Sequence, residues 1–186
     1  CCIEDVSIMR SIPGITVISP ADSGETVKAA LASVYHSESV YIRLTGGANN
    51  PIVYEDDYKF EIGRAITLRE GKDITIIAAG TMVYNSLKTA ELLDKKGISA
   101  KVINMHTIKP IDKEAVKKAS ETTKLIVTIE EHSIIGGLGS AVAQHLVTLN
   151  KSSPLEIIGL PDKYGNAGSY KDLLENHGLS EQQIAK

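Results

Sequence analysis

Short apolar runs alternate with amphipathic stretches of about 10–15 residues along most of this chain, the rhythm of a parallel sheet with crossover helices. Before Glu61 the pattern supplies only two strands. Glu4–Ser11 (EDVSIMRS) is expected as a short helix, with Ile3, Val6, Ile8 and Met9 apolar, and Pro13-Gly14 breaks it. Ile15–Ser19 reads as a strand. A helix then starts at Asp22, with Glu25 at the capping-box spacing. It runs to His36, and Val27, Ala30, Leu31 and Val34 form its apolar face. Val40–Leu44 (VYIRL) is the second strand and Thr45–Pro51 a loop. Val53–Phe60 carries Tyr54, Glu55, Asp56, Asp57, Tyr58 and Lys59 and reads as a linker, which puts a domain boundary near Glu61. Two strands rarely stand alone.

Beyond the boundary the alternation is complete. Strands are expected at Ile62–Leu68, Ile74–Ala79, Ala100–Met105, Leu125–Ile129 and Leu155–Gly159. Helices are expected at Met82–Lys96, closed by Gly97, at Asp112–Glu121, at Ala141–Leu149, and at Tyr170–His177 and Ser180–Lys186. His106–Pro110 is read as a loop. The predicted architecture is α/β in three layers, a mostly parallel sheet with helices on both faces and right-handed crossovers.

The chain is organised around Leu125–Val142, LIVTIEEHSIIGGLGSAV. An apolar strand leads into Glu130, Glu131, His132 and Ser133, then Gly136, Gly137 and Gly139, then a helix. Open α/β sheets place ligand or interface groups at such corners. The glycine spacing is neither G-x-G-x-x-G nor a P-loop. Two readings remain, a packed interface corner and an anion cradle at the helix start.

Composition narrows the class. With no Trp and a single Phe, the core has to be aliphatic. A net charge of −3 without a basic run argues against nucleic acid as a partner. No apolar run reaches the ~18–20 residues that span a bilayer. Cys1 and Cys2 are adjacent, and no further Cys completes a metal site. A cytoplasmic protein is expected. The lack of an initiator Met suggests a truncated chain whose chemistry lies partly elsewhere.

Candidate chemistry is sparse. His132 beside Glu130 and Glu131 is the best local constellation, either catalytic or a hydrogen-bonded structural histidine. His106, after a strand end, has the same two readings. Arg43 sits inside an apolar strand and has to carry its charge to a partner. That partner is either a carboxylate of this chain or a substrate phosphate, which suits the guanidinium fork. Ser133 and Ser140 lack the G-x-S-x-G setting of a nucleophile elbow, and Asp56-Asp57 reads as solvated.

Several stretches resemble the carboxyl-terminal part of the transketolase family, which depends on thiamine diphosphate. Glu4–Asp22 (EDVSIMRSIPGITVISPAD) is similar to the end of the family's pyrimidine-binding domain, and VYIRL to its next strand. DITIIAAGTMV, AKVINMHTIKPID, LIVTIEEHSIIGGLGSAV and IGLPDKYGNAGSYKDLLENHGLSEQQI resemble the family's C-terminal domain in order. The resemblance implies residues 1–60 as a partial α/β pyrimidine-domain remnant with linker, and 61–186 as the C-terminal domain. It implies two-carbon ketol transfer between sugar phosphates, with Arg43 as the phosphate-binding residue. His132, Gly136, Gly137 and Gly139 are then an interface corner.

The resemblance also implies what lies outside the chain. The family holds pyrophosphate and Mg²⁺ through a Gly-Asp-Gly…Asn motif, which is absent here. The glutamate that activates the cofactor belongs upstream of Cys1. No cofactor is therefore expected on this chain alone, and it should be inactive without a missing amino-terminal portion or partner subunit. Self-association into a homo-oligomer is expected. Deoxyxylulose-phosphate synthase and the 2-oxo acid dehydrogenase beta subunit remain alternatives within the superfamily, and a non-catalytic binding or assembly module is one outside it.

Overall fold

The computed structural model describes residues 2–45, 50–165 and 167–186. Gly46–Asn49 of the expected Thr45–Pro51 loop lie outside the described residues, as do Cys1 and Asn166.

The first elements are α1 (Asp5–Ser11), β1 (Ile15–Ile18), α2 (Ser23–Val34) and β2 (Ser39–Ile42). The helix start at α2 follows its sequence signal. Asp22 Oδ1 accepts the Glu25 amide at 2.8 Å, while Glu25 Oε2 reaches back to the Ala21 amide at 2.7 Å. The apolar face expected for α2 is not its buried face. Glu25 and Ala29 are fully buried, whereas Val27, Leu31 and Val34 are 59, 61 and 73% exposed. Periodicity identifies a stripe; it does not say whether the chain supplies anything to cover it.

The remainder comprises β3 (Ile66–Arg69), β4 (Ile74–Ala78), α3 (Met82–Asp94), β5 (Ala100–Asn104), β6 (Thr107–Lys109), α4 (Lys113–Thr122), β7 (Leu125–Ser133), α5 (Leu138–Leu146), β8 (Leu155–Leu160), α6 (Tyr170–Asn176) and α7 (Glu181–Ile184). Five strands form one sheet in the order β3-β5-β4-β7-β8. All its pairings are parallel except β3 with β5, so the antiparallel strand lies at an edge. This is the α/β, mostly parallel architecture read from the pattern.

Helices cover both faces. Ile77, Ile103 and Ile126 pack with Val116 and Ala119 of α4 and Leu138 and Val142 of α5. Ile76, Val102 and Ile129 point the other way, against Met82, Val83 and Ala90 of α3 and Leu179. Neighbours such as Ile76 and Ile77 can both be fully buried because strand side chains alternate faces. Each such side chain is worth about 2 kcal/mol of transfer free energy.

The second sheet has three strands in the order β2-β1-β6. β1 and β2 are parallel, and β6 joins β1 antiparallel, pairing Lys109 with Val17. His106–Pro110, expected as a loop, thus contains a strand. Three residues are too few for a periodicity to register, and their partner lies far back in the chain.

The expected linker is fastened across the seam between the sheets. Asp22 Oδ2 accepts the Val53 amide at 2.8 Å. The rings of Tyr54 and Tyr58 stack at 3.8 Å. Tyr58 donates to Glu25 Oε1 at 3.1 Å, and Asn104 Nδ2 reaches the same carboxylate at 2.9 Å and the Tyr54 hydroxyl at 2.7 Å. Burial pushes the Glu25 carboxyl up, and these donors hold it down. Asp56 and Asp57 do face solvent, with Asp57 meeting Lys28 at 2.5 Å.

Candidate functional site

Arg43 leaves the carboxyl end of β2 with its amide bonded to the Ile18 carbonyl at 2.8 Å. Its Nε donates to Asp5 at 2.9 Å (Oδ2) and 3.2 Å (Oδ1), and Tyr41 donates to Asp5 Oδ2 at 2.9 Å. Both side chains of the ion pair are 14% exposed. Among the described residues, Nη1 and Nη2 of Arg43 have no hydrogen-bond partner. The carboxylate expected of this chain is therefore present, and it occupies one edge of the guanidinium only. Asp5 was not singled out from sequence. Its one signal is an acid in the first turn of α1, a placement that helix electrostatics explains by itself.

At the other candidate corner, β7 runs on through Glu130, Glu131, His132 and Ser133 rather than ending at Ile129. Strand alternation then sorts the polar cluster. Glu130 and His132 share one face and are buried, while Glu131 points to the other. Glu130 Oε2 accepts the Leu138 amide at 2.6 Å and Oε1 the Gly139 amide at 2.8 Å. These are the amides that an anion at the start of α5 would use, so the chain's own carboxylate fills the cradle. Burial pushes Glu130 up to about 7, against the pull of the two amides and the Arg10 charge.

His132 sits 3.7 Å from Glu130, measured Nδ1 to Oε2. Its Nδ1 donates to the Ser133 carbonyl at 2.7 Å and Nε2 accepts the Ser7 amide at 3.4 Å, the pattern of a neutral ring. Burial lowers its pKa, in keeping with that state. The corner is also an internal contact surface. Arg10 of α1 donates through Nη1 to the carbonyls of Gly136 and Gly137, and through Nη2 to Gln144 of α5. A Cβ at Gly137 would stand 1.9 Å from Glu130 Oε2 and 2.7 Å from His132 Nδ1. Gly136, at φ +79, abuts Ser7, and Gly139 faces Ile157 and Thr128. His132, Gly136 and Gly137 thus join α1 to the β7–α5 corner, and Gly139 seats α5 on β8.

Glu131 accepts from Thr81 at 2.8 Å and Tyr170 at 2.7 Å, tying α6 to the sheet. His106 is fully buried and stacks on Phe60 at 4.3 Å. Burial lowers its pKa to about 4, so it is neutral over the ordinary range. The structure brings Asp5, Arg43, Glu130 and His132 to one junction, where the Arg43 charge acts on both Glu130 and His132. His106 and the Asp56-Asp57 pair lie apart from it.

Among the described residues, no group of three His, Cys, Asp or Glu is placed to hold a metal. The amides at the glycine corner are committed to Glu130. These residues do not make a site for a diphosphate cofactor with its Mg²⁺. Among the described residues, no helix is long and apolar enough to cross a membrane.

A five-stranded, mostly parallel sheet and a three-stranded mixed sheet, joined through β6, the Asn104–Glu25 contact and the β7–α5 corner, define an α/β protein. Residues 63–184 match the family of the transketolase C-terminal domain. The chain belongs to the transketolase family, whose members depend on thiamine diphosphate. It is 41% identical to an apulose-4-phosphate transketolase subunit of Phocaeicola vulgatus, covering 99% of this chain and 58% of that protein. It is 45% identical to a 6-deoxy-6-sulfo-D-fructose transketolase subunit of a Clostridium species, covering 98% of this chain and 56% of that protein. A solved structure described as a split gene transketolase, inactive beta4 tetramer, superposes with a TM-score of 0.92 at 40% identity, over 99% of this chain and 59% of that one. The chain spans less than three-fifths of the length of each.

Proposed function

We propose that this chain is the carboxyl-terminal part of a cytoplasmic, two-chain transketolase that moves a two-carbon ketol unit between sugar phosphates. Residues 1–60 are the end of its pyrimidine-binding domain with the linker, and 61–186 its C-terminal domain. The thiamine diphosphate and Mg²⁺ site is completed by sequence outside this chain, so the chain alone binds no cofactor and is inactive. The relatives described as subunits, and the inactive beta4 tetramer, support both the division and self-association. Arg43 recognises the substrate phosphate, and the C-terminal domain serves assembly through its corner.

The observation that carries the substrate reading is the half-engaged guanidinium of Arg43. Asp5 holds its Nε edge, and the two Nη groups keep the fork that suits a phosphate. In the assembled enzyme, Arg43→Ala should raise KM for a phosphorylated ketose by about tenfold or more, the scale of a lost charge-assisted bond. KM for an unphosphorylated ketose should stay within about twofold. An unchanged KM for the phosphorylated substrate would overturn the assignment. Micromolar saturation of this chain alone by thiamine diphosphate and Mg²⁺ in a calorimeter would overturn the division of labour.

A further inference from the structure

We infer that Asp5 is a positioning residue for substrate phosphate: from the start of α1 it fixes the Nε edge of Arg43, so that the two Nη groups are presented together to the ligand. The inference rests on the reading of Arg43 as the phosphate-binding residue and extends it to a second side chain that makes no ligand contact.

Arg43 follows the last residue of β2, where the backbone fixes where the side chain leaves but not where it ends. An unrestrained arginine spreads over many rotamers and loses that freedom when it binds. Asp5 removes the freedom beforehand. Its carboxylate straddles Nε at 2.9 and 3.2 Å, and the hydroxyl of Tyr41 in β2, two residues before Arg43, holds Oδ2 at 2.9 Å. The carboxylate is thus braced from the strand it orients. Asp5 cannot itself attract a phosphate, and its charge weakens the pull of Arg43 on one. What it contributes is direction: with Nε taken, a bidentate partner has to approach across Nη1 and Nη2. The same Asp5 begins the helix whose Arg10 grips the Gly136 and Gly137 carbonyls, so the fork is registered against the C-terminal domain as well.

The test uses the assembled enzyme with a phosphorylated and an unphosphorylated ketose, and compares Asp5→Asn, Arg43→Ala and the double variant. Asp5→Asn should raise KM for the phosphorylated ketose by about fivefold, the scale of one loosened charge-assisted bond. It should leave kcat and the unphosphorylated KM within about twofold. In the Arg43→Ala background it should add nothing, because its effect passes through Arg43. Asp5→Ser, which keeps a polar group at the start of α1, gives the same readout should Asp5→Asn not fold. An Arg43→Ala effect with no Asp5 effect overturns this inference and leaves the phosphate reading standing. Equal changes for both ketoses, or an undiminished Asp5 effect without Arg43, show a structural role and overturn it too. If Arg43→Ala itself changes nothing, both readings fall together.

Discussion

In the five-stranded sheet, β5 is buried at every position and helices close both faces, whereas β2 at the edge of the three-stranded sheet has no buried residue. The helix beside it repeats the contrast. α3 buries Met82, Val83, Ala90 and Leu93, while α2 buries Glu25 and Ala29 and turns its aliphatic stripe to solvent. Sequence pattern makes both helices amphipathic; among the described residues, only α3 has its apolar stripe covered. The smaller sheet instead depends on what the later part of the chain lends it: the strand β6, the Asn104 contact to Glu25, and the corner that receives α1. The larger sheet supplies stability, and the smaller one keeps Arg43 half engaged.

The comparison can be broken at the corner. Gly137→Val would drive a side chain into Glu130 and His132, and should cost about 4 kcal/mol in urea unfolding, at the upper end for a single substitution. Amide exchange should then rise first in α1, which rests on that corner. A smaller cost, without loss of protection in α1, would mean that the two sheets are held together elsewhere.

Acid should act at the seam. His106 has its folded pKa depressed from 6.5 to about 4, so its contribution is present above pH 6.5 and is lost as pH falls through 4. That shift corresponds to about 3 kcal/mol. His106→Phe should flatten the stability profile between those limits, checked by unfolding titrations at stepped pH. An unchanged slope would assign the acid sensitivity to other groups. The smallest effect belongs to the open stripe. Leu31→Ser should change the stability of this chain by no more than about 0.5 kcal/mol, the scale of an ordinary surface substitution. A cost of several times that would show that the stripe is covered.

Local signals were readable from sequence and distant ones were not. The caps at Asp22 and Asp112 accept from the third residue on, as the spacing suggests. The alternation of the larger sheet needed nothing beyond hydrophobic period. Which face of α2 packs, by contrast, depends on what else is present, and no period encodes that. The partner of Arg43 lies 38 residues back, where an acid at a helix start already has a local reason to exist. Glu130 and His132 were visible as a cluster, but their convergence required knowing that β7 continues through them. The use of the α5 amides by Glu130 was likewise invisible, because glycines before a helix suit a bound anion and a bound side chain equally.

The chain enters the larger sheet after Phe60 and sends Thr107–Lys109 back to pair with β1 before returning. The two units are therefore stitched rather than strung. A nick at the exposed Asp56 or Asp57 would leave two pieces that still share a sheet and run as one species on a native gel. For the same reason, residues 61–186 cannot be exchanged as a cassette with those of a relative without also replacing one strand of the sheet left behind.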